Sequence, residues 1–272
     1  MTRIALSRAR RRYLVEGRSL DVATEAALKA DQRLGARSIL DAVARRRFEN
    51  RSEGQRLRKL LRYESALWAT GVLRVAGVDE AGMSPLAGPV AAAAVVFTPG
   101  SRILGVDDSK KLDASSRDRL AVEIKNTAAA WSVGFAEVEE IDAINIYWAG
   151  QLAMRRALEG LCITPDHVLL DARRLKTLDL PQHPIIKGDS RSMTIAAASI
   201  LAKTARDAVM RKLDVEYPGY GFARHKGYPV RDHLAALKLL GASVVHRRSF
   251  APVREVLRLP PLPPWPNRSQ AE

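Results

Sequence analysis

Two periodicities divide the chain. Over residues 1–72, apolar positions recur at helical spacing in "LDVATEAALKA", "ARSILDAVARRRFENR" and "EGQRLRKLLRYESALW". No strand-like alternation interrupts them, so this segment is expected to form three or four helices with short breaks. From about Leu73 the pattern changes. "LRVAGVD" and "PVAAAAVVF" are short apolar runs of the buried-strand kind, and Pro99-Gly100 marks a turn after them. "WSVGFAEV" alternates with period two. "DHVLLD" and "HPIIKGD" are two further short strands, each closing on an aspartate. "DAINIYWAGQLAMRRALEGL" is amphipathic at helical period. "SRSMTIAAASILAKTARDAVMRKLDVEY" predicts a long helix opened by serines able to cap it. Helices are also expected over 229–240 and 252–257. The tail "PPLPPWPNRSQAE" is too rich in proline for a helix and is expected to be extended or disordered. The pattern therefore predicts a helical extension over 1–72, an α/β domain of five strands with helices on both sides over 73–258, and a tail over 259–272.

Composition changes this picture in one respect. A chain of 272 residues with 47% hydrophobic residues can bury a real core. Its net charge is +14, which favours a polyanionic partner such as nucleic acid. Residues 1–72 hold 17 Lys and Arg against 8 Asp and Glu, so +9 of that excess sits in the extension. The extension is expected to contact nucleic acid, to pack on the main domain or to present solvated helical faces. The single cysteine, Cys162, excludes an intrachain disulfide and a cysteine-rich zinc site, and suits a reducing cytoplasm. No run of about 18 apolar residues predicts a membrane span, and "MTRIALSRARRR" lacks the apolar stretch of a signal peptide. The five histidines show no metal-binding spacing.

The candidate chemistry lies in the acids. Three predicted strands end in them: "VDE" (Asp79, Glu80), "LLD" (Asp171) and "KGD" (Asp189). One acid at a strand end reads as a turn or a helix cap, and Asp189, just before a serine-led helix, invites the capping reading. Recurrence is what carries weight, because carboxyl ends of strands in one sheet lie side by side and gather functional groups. Four such acids repel. At ~4 Å and an effective dielectric of 20, each like-charge pair costs about 4 kcal/mol. Cations or bound protons must offset that. All-oxygen donors select Mg²⁺ or Mn²⁺ over zinc, and two such ions would clamp an in-line displacement at phosphorus. Neighbours on a strand point to opposite faces, so Asp79 and Glu80 are expected to share a site only if the strand stops there and the chain turns at "AGMSP".

Several long segments, in order, carry a family likeness. "GVDEAG", "PLAGPV", "DDSKKL", "IDAINIYWAGQLAMRRAL", "HVLLDA", "KGDSRSMTIAAASILAKTARDAVM", "YPGYGFARHKGY" and "HRRSF" resemble those of bacterial ribonuclease HII, over roughly residues 75–256. The resemblance implies a ribonuclease H-like fold, a five-stranded mixed sheet flanked by helices. It implies that Asp79, Glu80, Asp171 and Asp189 form the catalytic, metal-binding set. It implies an endoribonuclease that hydrolyses the RNA strand of RNA–DNA hybrids and nicks 5′ of ribonucleotides embedded in duplex DNA, leaving a 3′-hydroxyl and a 5′-phosphate. It also implies that Tyr228 packs on the sugar at the junction, and that Ser109 and Lys110 meet backbone phosphates. Asp207, in "ARD", is expected to be a salt-bridge residue rather than a ligand. The enzyme is expected to work as a cytoplasmic monomer with no membrane partner.

The chain departs from the family at two turns. After "DEAG" the family continues Arg-Gly-Pro, where this chain has Met83-Ser84-Pro85. The resemblance implies that Gly82, Met83 and Ser84 occupy the turn that in the family reads the ribose 2′-hydroxyl with its backbone. Met83 supplies no charged fork for a phosphate, and Ser84 carries a Cβ where glycine allows close approach or positive φ. Weakened discrimination of single ribonucleotides is expected. The family's "DG" is "DA" here, which strains the turn at Ala172 if that turn needs φ > 0. Two other functions compete: a hybrid-binding protein without catalysis, and a DNA nuclease of the same fold that does not read ribose.

Overall fold

The computed structural model describes residues 5–176 and 178–260, so the tail expected from 259 lies, beyond its first two residues, outside the described residues. The chain divides into two compact units, Met1–Lys59 and Leu60–Glu272.

In the first unit, α1 (Leu6–Arg10) runs into a π-helical turn (Arg11–Val15), followed by α2 (Val22–Lys29) and α3 (Leu34–Leu60). Asp21 caps α2 by accepting from the Thr24 N–H at 2.8 Å. Ala9, Tyr13, Leu28, Ala36, Ile39 and Val43 form a small core. Two arginines of α3 act as internal staples. Arg46 donates to the Tyr13 carbonyl at 2.7 Å, and Arg47 to the Leu20 carbonyl at 3.1 Å and to Glu25 at 2.7 Å. Part of the unit's positive charge is thus used to close its own fold.

The second unit contains α4 (Arg62–Ala69), β1 (Val75–Ala81), β2 (Val90–Phe97), α5 (Ala114–Thr127), β3 (Ala130–Ala136), α6 (Val138–Glu159), β4 (His167–Asp171), β5 (Gln182–Ile185), α7 (Met193–Glu216), α8 (Phe222–His225), α9 (Arg231–Leu240) and α10 (Ala251–Val256). The five strands form one mixed sheet of order β3-β2-β1-β4-β5. β2 is antiparallel to β1 and β3, while β1, β4 and β5 run parallel. Strand alternation separates two cores. Ala76, Val78, Val168 and Leu170 pack with Ala149 and Ala153 of α6. Val75, Leu169 and Ile185 pack with Ile195 of α7. α7 approaches so closely that a Cβ on Gly77 would run into the Thr194 backbone.

Four details differ from the pattern reading. First, α4 belongs to the second unit, so the expected boundary at 72 falls inside it. Tyr63, Leu67, Trp68 and Val72 cover the Val75–Leu169–Ile185 face. Glu64, fully buried, accepts from Ser192 Oγ (2.6 Å), Thr194 N (2.9 Å) and Thr194 Oγ1 (2.8 Å), supplying an acceptor at the start of α7. Second, α5 had no predicted counterpart. Asp113 caps it, and Leu120, Ala121 and Ile124 form its buried stripe. Third, β5 stops at Ile185, and Asp189 sits on a 3₁₀ turn (Gly188–Ser190) rather than at a strand end. Lys187, at φ 57°, turns the chain out of the sheet there. Ser192, not Asp189, caps α7. Fourth, α6 is kinked at Asn145 (φ 71°), whose Oδ1 accepts from the N–H groups of Tyr147 and Trp148 and restarts the helix. Among the described residues, no helix is long and apolar enough to cross a membrane.

Candidate active site at the open end of β1 and β4

β1 does not stop between Asp79 and Glu80. It continues to Ala81, with Glu80 paired opposite Ala92 on β2. What ends is the other neighbour: the last β1–β4 pair is Val78–Leu170. Asp79 and Asp171 are each one step beyond that pair, on adjacent parallel strands whose carboxyl ends open together. The Cβ atoms of Asp79 and Glu80 leave on opposite faces, and the loss of β4 as a neighbour lets both side chains reach this open end.

Asp79 is 4% exposed and lies against α7, where Ser199 donates to it. Burial, then the Glu80 charge, pushes its carboxyl well above the usual range, and Asp171 adds to the shift. Burial, then Asp171, raises Glu80 to about 7. Burial also raises Asp171, although the Gly188 N–H donates to its Oδ1 at 2.7 Å. That bond brings the 3₁₀ turn, and with it Asp189, alongside Asp171. Asp189 is 5% exposed and pairs with Lys110 Nζ at 3.2 Å. The four acids are therefore electrostatic neighbours, with Lys110 as a cation among them.

Among the described residues, no three His, Cys, Asp or Glu side chains are gathered closely enough to hold an ion as they stand. The donor set itself fits a hard divalent cation: oxygens only, in a partly desolvated corner, with the proton affinity of Asp79, Glu80 and Asp171 raised by burial and by one another's charge.

The other expected residues fall into two places. Ser109 is turned inward, 3% exposed, with its hydroxyl 2.9 Å from that of Ser199. It thus stands behind Asp79 rather than on open surface. Gly82, Met83 and Ser84 form a turn held by buried arginines. Arg247, fully buried, donates to the carbonyls of Gly82 (2.7 Å), Pro85 (2.7 Å), Gly88 (2.9 Å), Pro89 (3.2 Å) and Met83 (3.4 Å). Arg206 donates to the carbonyls of Pro89, Ala87 and Lys226 at 3.0–3.1 Å. Gly82 has φ 98°, and a Cβ there would run into Arg206 Nε. Leu86 N–H donates to the Gly227 carbonyl at 2.8 Å, so the turn is tied directly to Tyr228, which is 39% exposed. Ser84 is exposed and does not take positive φ, so its backbone does not require glycine. Met83 is half-buried, with its sulfur against Gly150 of α6. Ala172 does take φ 57°, the strained geometry expected if that turn needs positive φ. Asp207 pairs with Lys203 at 2.7 Å, one helical turn away.

Arg206 and Arg247 were not singled out from sequence, although both lie in the segments "ARD" and "HRRSF". An arginine flanked by residues of an apolar helix face, as Arg206 is, was the available signal.

The family model for ribonuclease HII matches residues 76–253. The chain belongs to the ribonuclease HII family. It is a metal-dependent endoribonuclease that acts on RNA–DNA hybrids. It is similar to ribonuclease HII from Anaeromyxobacter sp. (strain Fw109-5), 57% identical over 96% of this chain and 83% of that one. It is 56% identical to ribonuclease HII from Myxococcus xanthus (strain DK1622), over 98% and 92% respectively. Both matches extend well outside the ribonuclease HII core and into the first unit. Among solved structures, ribonuclease H2 from Pyrococcus horikoshii OT3 aligns with a TM-score of 0.59 at 26% identity, covering 68% of this chain and 98% of that one. The ribonuclease HII in a complex with PCNA from Archaeoglobus fulgidus aligns at 0.54 and 26%, covering 64% and 94%.

Proposed function

We propose that this ribonuclease HII uses Asp79, Glu80, Asp171 and Asp189 to hold two divalent ions, Mg²⁺ or Mn²⁺, and that it also nicks 5′ of single ribonucleotides embedded in duplex DNA. The observation that carries the reading is the placement of Asp79 and Asp171 one step past the last β1–β4 pair, with Glu80 and Asp189 coupled to them. When bound, the ions supply positive charge at the scissile phosphate and ease deprotonation of the attacking water. A water oxygen bonds to phosphorus, the P–O3′ bond breaks, and O3′ takes up a proton. The products carry a 3′-hydroxyl and a 5′-phosphate. Lys110 holds Asp189 until substrate and ions arrive. Tyr228 meets the sugar at the junction, and the exposed backbone near Ser84 meets the ribose 2′-hydroxyl.

Met83 lies against Gly150 and offers no charge to a phosphate, so discrimination of a single ribonucleotide is weaker than in relatives with arginine there. The enzyme acts as a monomer in the cytoplasm, on hybrids and ribonucleotide-containing duplexes.

Cleavage of three duplexes, all-DNA, RNA–DNA hybrid and DNA with one ribonucleotide, with Mg²⁺ and then Mn²⁺, tests this. The expected result is cleavage of the last two, abolished in Asp79→Asn and Asp171→Asn. Cleavage of all-DNA duplex would make it a DNA nuclease, and binding without any cleavage would make it a hybrid-binding protein. Met83→Arg/Ser84→Gly should raise turnover on the single-ribonucleotide duplex relative to the hybrid. Equal turnover would remove the role given to residue 83.

A further inference from the structure

Beside the acids lies a feature that the reaction leaves unexplained. The segment after β4, "ARRLK", carries exposed cations at Arg173 and Lys176. Each is set over an aromatic ring of α6. Arg173 Cζ lies 5.6 Å from the Tyr147 ring centroid, and Lys176 Nζ lies 5.8 Å from that of Trp148. The two rings meet edge to face at 5.2 Å, just past the Asn145 kink. The segment is fixed to α6 by Gln151, which donates to the Arg174 carbonyl at 3.1 Å and accepts from the Lys176 N–H at 3.1 Å. Among the described residues, neither cation has a carboxylate within ion-pairing distance, unlike Lys110 with Asp189.

We propose that Arg173 and Lys176, propped on Tyr147 and Trp148, form a phosphate-contacting track that positions the nucleic-acid backbone at the edge of the acidic corner. The inference rests on the proposed site at Asp79, Glu80, Asp171 and Asp189, because its place is defined by that site. Three observations support it. Arg173 is two residues from Asp171, and its charge is felt at Glu80. An exposed cation normally loses rotamer freedom on binding a phosphate, and an aromatic face reduces that loss by holding the side chain beforehand. Met83, three residues after Glu80, carries no charge, so the cationic contact near the acids comes from another element. Arg173 is suited to it, being planar, permanently charged and forked.

Salt-dependent binding tests this. The full chain, without divalent ions, is titrated with fluorescent RNA–DNA hybrid at several KCl concentrations, and log Kd is plotted against log [KCl]. Each phosphate contact contributes roughly 0.7–0.9 to the slope. Arg173→Gln and Lys176→Gln should each lower the slope by about 1 or slightly less, and together by nearly 2. Tyr147→Leu, which keeps the charge and removes its support, should weaken binding and leave the slope as it was. Lys125→Gln serves as the control, since Lys125 also lies over a ring, Trp131 at 4.7 Å, on the far edge strand β3. An unchanged slope in the double variant would overturn the proposal, as would an equal fall in Lys125→Gln. The two readings fail separately: a parent enzyme that cleaves neither hybrid nor single-ribonucleotide duplex defeats the proposed site. A parent that cleaves them beside a double variant with parental slope defeats only the track.

Discussion

Replacing Arg247 by methionine removes the guanidinium that gathers the carbonyls of Gly82, Pro85, Gly88 and Pro89. Pro89 keeps a donor, because Arg206 Nε also reaches its oxygen at 3.0 Å. The other three lose this charged donor. At ~1–3 kcal/mol for each buried acceptor left unpaired, the gross cost is about 3–9 kcal/mol. Part is offset, because the guanidinium is itself costly to bury. Burial, then the neighbouring Arg206, lowers its pKa to about 9. Breaking a buried charged network by removing one partner costs about 3–5 kcal/mol, which is the net value expected. A domain of this size shifts its melting temperature by roughly 2–4 °C per kcal/mol, so Arg247→Met should melt about 6–20 °C below the parent. Arg247→Lys keeps the charge without the fork and should fall between the two. Calorimetry reads the shift, and nicking of the single-ribonucleotide duplex below the melting range reads the turn. A methionine variant melting within about 2 °C of the parent would show that these bonds contribute little net stability.

Three further changes follow from other elements. Glu64→Ala leaves Thr194 N–H and two hydroxyls without their acceptor and should cost about 2–4 kcal/mol in urea unfolding, against less than about 1 for the exposed Glu49→Ala. Ala172→Gly relieves an L-residue at φ 57° and should stabilise by up to about 1 kcal/mol, read as a higher unfolding midpoint. Burial, then His233, lowers His246 to about 4, so the folded state disfavours its proton. Stability from this group is complete above pH ~6.5 and is lost as pH falls toward ~4, a loss of about 3 kcal/mol that His246→Gln should flatten in unfolding curves at pH 7.5 and 4.5.

What the amino-acid pattern disclosed was whatever depends on neighbours in sequence. The period-two run "WSVGFAEV" and the all-apolar "PVAAAAVVF" correspond to the edge strand β3 and the inner strand β2. Asp79, Glu80 and Asp171 stand out because an acid closing a buried apolar run is locally anomalous. Asp189 stands out for the same reason, but its position did not follow, since nothing in "HPIIKGD" says that Lys187 leaves the sheet at positive φ. Glu64 was invisible because its partners lie 128 and 130 residues away, and a glutamate in the helical segment "LRYESALW" looks solvated. Arg247 was invisible for the converse reason: a run of two arginines signals surface charge, and only the folded turn supplies its buried acceptors. The α5 helix was legible in principle, with Asp113 capping through Ser116 and buried Leu120, Ala121 and Ile124.

The buried arginines bear on how the turn keeps its shape with methionine and serine at 83 and 84. A turn whose conformation depended on its own side chains would be disturbed by methionine and serine at 83 and 84. Here the backbone path from Gly82 to Pro89 is set from outside, by Arg247 and Arg206 acting on carbonyl oxygens that every residue type provides. Gly227, bonded through its carbonyl to Leu86 N–H, ties the same path to Tyr228. Glycine is required at Gly82, where Arg206 occupies the space a Cβ would need, and at Gly88, where φ is 78° and Met210 Sδ fills that space, but not at 83 or 84. Side chains at 83 and 84 are therefore free to change what the turn presents without changing where its backbone lies. The absence of charge at 83 should then appear as a weaker contact rather than as a disordered turn. On that argument Met83→Arg alone, in the parent background, alters ribonucleotide discrimination while the melting temperature stays within about 2 °C. A large drop in melting temperature would mean that the turn depends on Met83 packing against Gly150 after all.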